Sequence, residues 1–250
     1  MITADFYKSD VYLKNNPDWH VGTSNWKAQS ILHMMEKNGI DPRSVCEIGC
    51  GAGEILRIMQ HQLDPQCTFD GYDIAPQAIS MARTRENEHM HFHLGDFVQD
   101  SGNTSYDLIL IVDVLEHFEN CFQLLRDIKP RSTYKVLQLP LDISALSVIL
   151  NELIQYRHAT GHLHFFTKDV ALEILRDAGY KIKDAFYQLR PFENPWSWQE
   201  ALRRPGKAPI MLLKLIRRIL YRVPRLLLFA VQPDFAVRLL GGWRLLVLVE

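Results

Sequence analysis

The sequence predicts an α/β protein built on a mostly parallel, doubly wound sheet with helices on both faces. Three observations point there. Short β-rich runs alternate with stretches of helix length, a glycine cluster separates the first run from the helix after it, and 250 residues suffice for one large α/β unit with an insertion. A composition of 47% hydrophobic and 23% charged residues argues against disordered and fibrous classes.

From Ser24 to Asn38, Ile31, Leu32 and Met35 recur at helical spacing, and Gly39 follows where a helix closes. Strands are predicted over Val45–Ile48, Thr68–Tyr72, Met90–Leu94, Tyr106–Val112 and Tyr134–Leu139, with helices such as Gly53–Gln62 and Pro76–Arg85 between them. Thr167 is the expected N-cap of a helix that carries Val170, Ile174, Leu175 and Ala178 on one side and that Gly179 closes. A strand over Tyr180–Leu189 follows, then "RPFENPWSWQEALRRPGKAP", which reads as an irregular connection.

Ile210 to Pro224 separates on a helical wheel into an apolar side and a side holding Lys214, Arg217, Arg218 and Arg222, with Pro224 expected to end the helix. Charges interrupt each apolar run well short of the roughly 20 residues needed to span a bilayer. The sequence therefore suggests a lid over a pocket, with peripheral membrane association through residues 206–240 as a further expectation. Gly241 and Gly242 turn the chain into a last strand, Trp243–Val249.

The formal net charge of −1 argues against a general nucleic-acid binder. It conceals an asymmetry: residues 201–250 hold ten Lys and Arg against Asp234 and Glu250, a net of +8, which leaves −9 for residues 1–200. Cys46, Cys50, Cys67 and Cys121 form no CxxC pair, and the N-terminus has neither a basic start nor an apolar run. A reducing, cytoplasmic setting is expected.

The stretch "VCEIGCGAGEIL" places Gly49, Gly51 and Gly53 between a strand and a helix, a general device for nucleotide cofactors. The dinucleotide fingerprint requires its third glycine three positions after the second, and here the spacing is even, with Glu54 in the first helical turn where a pyrophosphate would sit. A cofactor without phosphates fits better, and Glu47 at the end of the first strand favours a cationic one. Asp73, at the end of the second strand, can accept from both hydroxyls of a ribose. After the third strand, Asp96 can accept from an adenine amino group and Phe97 can cover the ring.

"EIGCGAG", "GYDIAP", "GDF" and "YDLILIVDVLEHF", in that order and spacing, resemble the successive motifs of class I S-adenosylmethionine-dependent methyltransferases, and "GHLHFFT" followed by a helix is similar to the later part of that fold. The resemblance covers roughly Trp19 to Tyr187 and the final strand. It implies a Rossmann-like seven-stranded sheet with an antiparallel last strand. The implied division is a helical lead-in at 1–40, a cofactor-binding core at 41–189, a basic helical insertion at 190–240 where the family hairpin is normally short, and the final strand at 241–250.

The resemblance also implies S-adenosyl-L-methionine as cofactor, bound by Glu47, Gly49, Cys50, Gly51, Gly53, Asp73, Ile74, Asp96, Phe97 and Asp113, the last near the sulfonium. It implies methyl transfer to a small-molecule acceptor. A hydroxyl acceptor needs a base, for which an imidazole is suited. The candidates are His117 in "DVLEH" and His162 or His164 in "GHLHFF", with His164 preferred, and His20 ranks below them. Asp113, Glu116, His117 and His164 could instead hold a divalent metal. Because Asp113 and Glu116 have ready roles in the donor site and the following helix, no metal site is assigned. The competing class is a non-catalytic S-adenosylmethionine-binding protein or membrane-surface scaffold.

Overall fold

The computed structural model describes residues 7, 16, 18–19, 21–189 and 222–250. The chain alternates α1 (Val21–Lys37), β1 (Ser44–Ile48), α2 (Glu54–Gln60), β2 (Thr68–Asp73), α3 (Pro76–Ala82), β3 (Met90–Leu94), the single turn α4 (Phe97–Asp100) and β4 (Tyr106–Val112). It continues through α5 (Cys121–Ile128), β5 (Ser132–Pro140), α6 (Ala145–Ile149), α7 (Glu152–Thr160), α8 (Lys168–Asp177) and β6 (Ile182–Leu189). After a helix α9 over 222–231 come α10 (Pro233–Leu240) and β7 (Trp243–Val249).

The seven strands form one sheet in the order β3-β2-β1-β4-β5-β7-β6. Strands β1 to β5 pair in parallel, and β7 runs antiparallel to both β5 and β6. Parallel strands covered on both faces must be apolar throughout. Accordingly, Leu108, Ile109, Leu110 and Ile111 of β4 and Leu245 to Val249 of β7 are all buried. The two faces carry separate cores. One packs Leu125, Phe166 and Leu175, and the other packs Ile31, Met34, Leu56 and Phe69.

The caps follow the sequence. Gly39 and Gly179 take φ of 65° and 86°, the left-handed geometry that closes a helix most cheaply with glycine. The Thr167 side chain accepts from the Val170 amide. Two features differ from expectation. Helices α6 and α7 occupy the stretch after β5, and Pro224 lies inside the described helix 222–231 rather than past the end of one. Of the expected insertion, residues 190–221, with nearly all of the Ile210–Pro224 helix, lie outside the described residues, as does His20. The buried Arg225 of α9 donates from Nε to the Gly241 carbonyl at 3.0 Å, fastening α9 to the turn before β7.

Candidate active site

Strand order reverses on either side of β1, since β2 lies on one side and β4 on the other, and ligands bind open α/β sheets outside the carboxyl ends at such a point. A cleft of about 1510 Å³ opens there, lined from the ends of β1, β2, β3, β4 and β5 and from the start of β7.

The glycine loop forms the floor on one side. Gly49, Gly51 and Gly53 all have positive φ, 72°, 54° and 75°. A Cβ on Gly49 would fall 2.4 Å from Val114 Cγ2 and one on Gly53 2.4 Å from Phe92 Cζ, so packing alone requires glycine at both. Gly51 has room, with only the Trp19 carbonyl at 3.8 Å. Its amide donates to Asp73 Oδ2 at 2.8 Å, while the Ala75 amide donates to Oδ1 at 2.9 Å. Burial raises the Asp73 pKa and those amides pull it back. Each carboxylate oxygen retains a lone pair for a ligand hydroxyl.

Glu47 is 1% exposed, and among the described residues its Oε2 accepts no hydrogen bond. Burial pushes its pKa up to about 8, against the pull of Lys27 and with the help of Asp73. A buried carboxyl oxygen lacking a hydrogen bond at the cleft wall is costly, and a cationic ligand would relieve that cost. Glu54 also lines the cleft, but its charge is already taken by Arg57, at 2.7 and 2.9 Å, and by Arg85 at 2.9 Å. Hydrogen bonding from Arg57 leads in holding its pKa low.

Ile74 and Cys50 line the cleft, the thiol raised well above its ordinary pKa by burial. Asp96 caps α4, its Oδ1 accepting from the Val98 amide at 2.8 Å. Phe97 reaches the cleft yet is only 2% exposed, with the Arg131 guanidinium 5.1 Å from its ring centroid and Tyr72 packed edge-on at 5.2 Å.

Asp113 takes φ of 54° just past β4, turning its carboxylate between two cations. Lys27 Nζ of α1 lies 2.9 Å from Oδ2, and Arg244 Nε of β7 donates to Oδ1 at 2.9 Å. Burial alone would raise this carboxyl's pKa, but Arg244 and Lys27 outweigh it and hold it well below the usual range.

The opposite wall gathers Glu116, His117, Asp142 and His162. Glu116 is fully buried, and among the described residues neither of its carboxylate oxygens accepts a hydrogen bond. Burial first, then the Asp113 charge, raises its pKa well above the ordinary value. His117 Nε2 lies 3.8 Å and His162 Nε2 4.0 Å from Glu116 Oε1. His162 Nδ1 is 2.7 Å from Asp142 Oδ2, and His117 Nδ1 is 2.7 Å from Tyr7 Oη and 3.3 Å from the Gly161 carbonyl. Acceptors at both Nδ1 atoms assign the ring protons there and leave Nε2 basic on both rings.

His164, preferred on sequence, does not line this cleft. Its Nε2 faces the Phe118 carbonyl at 2.8 Å, and its amide donates to the Glu116 carbonyl at 3.1 Å, which ties "GHLH" to "DVLEH". The chain bends at Leu163, which turns His162 and His164 different ways, and His162 takes the cleft position. Sequence reasoning passed over Lys27, Asp142 and Arg244. The signal for Arg244 was present, because a lone arginine in the otherwise apolar "WRLLVLV" demands a buried partner.

A family model described as a methyltransferase domain matches residues 25–185. The malonyl-acyl-carrier-protein O-methyltransferase of Acetivibrio thermocellus is 27% identical over 96 residues, 38% of this chain and 34% of that protein, so the match spans only a third of that relative. The plantazolicin methyltransferase BpumL, in complex with a pentazolic desmethylPZN analogue and SAH, superimposes with a TM-score of 0.59 at 20% identity, covering 98% of this chain and 93% of that one. The magnesium protoporphyrin IX methyltransferase ChlM of Synechocystis PCC 6803, with bound SAH, gives a TM-score of 0.56 at 18% identity over 76% of this chain and 93% of that one. At such identities the likeness is one of fold.

Proposed function

Because the chain belongs to the methyltransferase-domain family, we propose that it transfers a methyl group from S-adenosylmethionine to a hydroxyl oxygen of a small-molecule acceptor. The observation that carries the reading is the buried Glu47 carboxyl, which faces the cleft beside the glycine loop with an oxygen that accepts no hydrogen bond among the described residues. A ligand with an ammonium group and no phosphate satisfies it.

Glu47 and the Gly49–Gly53 loop would hold the amino-acid end of the cofactor, Asp73 its ribose, and Ile74, Asp96 and Phe97 its adenine. The cofactor supplies a methyl group on a sulfonium, the acceptor oxygen forming the new C–O bond as the S–C electron pair stays on sulfur. The protein's share is to place the acceptor in line and keep water out. Asp113, paired to Lys27 and Arg244, acts as a fixed wall between the cofactor and acceptor halves rather than as a bare anion. The acceptor hydroxyl meets the wall formed by Glu116, His117 and His162, and its proton leaves on that side.

Incubating the protein with methyl-labelled cofactor and a fractionated metabolite extract tests the reading, the label being expected on oxygen. A protein that binds the cofactor yet labels nothing in any fraction would favour the non-catalytic binding class instead. A second reading, peripheral contact with an anionic membrane through residues 206–240, draws support from the exposure of Leu227, Val231 and Phe235, at 66%, 83% and 48%. No helix among the described residues is long and apolar enough to cross a membrane. Flotation with anionic vesicles tests this reading, and protein left at the bottom of the gradient would end it.

A further inference from the structure

Two imidazole nitrogens and one carboxylate oxygen converge at the acceptor end of the cleft. One ligand atom each from Glu116, His117 and His162 lies within 4.8 Å of the other two, and Glu116 Oε1 is 3.8 Å from His117 Nε2 and 4.0 Å from His162 Nε2. Those separations exceed hydrogen-bond lengths, so no proton is shared directly between Glu116 and either ring. Ligands about 2.1 Å from a common ion lie roughly 3 to 3.5 Å apart, so an ion would draw the three side chains together by about half an ångström.

We propose that Glu116, His117 and His162 bind one borderline divalent ion, such as Zn2+ or Co2+, whose open positions take an acceptor carrying two neighbouring oxygen donors. The acceptor half rests on the methyl-transfer reading above; the ion site does not. The surroundings are those of a built site. Asp142 accepts from His162 Nδ1 and orients the ring, as second-layer carboxylates do for metal-bound histidines. The Tyr7 hydroxyl and the Gly161 carbonyl do the same for His117. Both oxygens of the fully buried Glu116 are otherwise unused among the described residues. Two nitrogens and one oxygen suit borderline ions better than Mg2+ or Ca2+, which prefer oxygen throughout. Asp113 is held by Lys27 and Arg244 and His164 lies outside the cleft, so the ligand set differs from the one that sequence proximity suggests.

Three protein ligands leave two or three positions, enough for a vicinal pair of hydroxyls or a hydroxyl beside a carbonyl. When such a hydroxyl coordinates, its O–H bond breaks with the electron pair kept on oxygen, and the proton passes to water in the cleft. Acceptors with an isolated hydroxyl would bind poorly.

The test is a visible-absorption titration with Co2+ of the chelator-treated full chain and its Glu116→Gln and Asp142→Asn variants, beside calorimetric titration of each with S-adenosylmethionine. The wild type is expected to saturate at about one equivalent, with ion affinity weakened about 10- to 100-fold in Asp142→Asn and lost in Glu116→Gln. Cofactor affinity should be retained in both variants, which shows them folded. No saturable uptake by the wild type, or equal uptake by a folded Glu116→Gln protein, overturns the ion site. Ion uptake by a wild type that binds no cofactor would instead leave the ion site standing and end the methyl-transfer reading.

Discussion

Asp73 Oδ2 accepts the Gly51 amide at 2.8 Å, so the acid that ends β2 and the loop that follows β1 form one unit. Replacing Asp73 by Ala would strand the Gly51 and Ala75 amides together, at about 1 to 3 kcal/mol for each buried donor left unmade. We expect Asp73→Ala to lose about 2 to 4 kcal/mol in urea unfolding and to abolish calorimetric binding of S-adenosylmethionine. Binding retained by the variant would remove Asp73 from the ribose site.

The three loop glycines should not respond alike. Gly53→Ala forces a Cβ to 2.4 Å from Phe92 Cζ at φ 75°, in a core that cannot yield, whereas Gly51→Ala meets only strain at φ 54°. The expected costs are about 3 kcal/mol or more for the first and about 1 kcal/mol for the second. Urea unfolding of the two variants checks the ordering, and equal losses would contradict the packing argument.

Much of this was legible in the sequence because parallel strands buried on both faces read as apolar runs, and the glycine loop and the acids after β2 and β3 stand at fixed offsets from them. What was not legible has local causes. Glu152–Thr160 forms α7 without burying a single residue, so it leaves no apolar stripe to read. The choice between His162 and His164 turns on the bend at Leu163, held by the Leu163 and His164 amides bonding the Glu116 carbonyl at 2.8 and 3.1 Å. The partners of Asp113 come from 86 residues upstream and 131 downstream, a convergence that only the fold creates.

Glu47 should couple cofactor binding to protons. With its pKa pushed up to about 8, it is neutral below that pH, and a bound ammonium would draw it into the charged form with release of a proton. Affinity for S-adenosylmethionine should therefore tighten as pH rises toward 8, and the apparent binding enthalpy should vary with the ionisation enthalpy of the buffer. Glu47→Gln should remove most of that proton release. The same shift affects stability with the opposite sense. Because the folded protein holds this proton more tightly than the unfolded chain, the Glu47 contribution declines as pH rises from the ordinary 4.5 toward 8. Glu47→Gln should flatten that part of the profile.

The Asp113 triad should show the reverse dependence. Its depressed pKa means that the contribution is fully present above the ordinary 3.8 and is lost only as pH falls through the lower folded value. Replacing Lys27 and Arg244 together by Met leaves the carboxylate buried without either cation, a loss on the order of 3 kcal/mol at neutral pH. In that variant burial acts alone, the Asp113 pKa rises, and acidification toward 3.8 restores stability by neutralising the group. The gap between wild type and double variant should accordingly narrow between pH 7 and pH 4.5 in parallel urea titrations. A gap that stays constant would mean that Asp113 remains charged without its partners, and that the pairing holds loop geometry rather than compensating a buried charge.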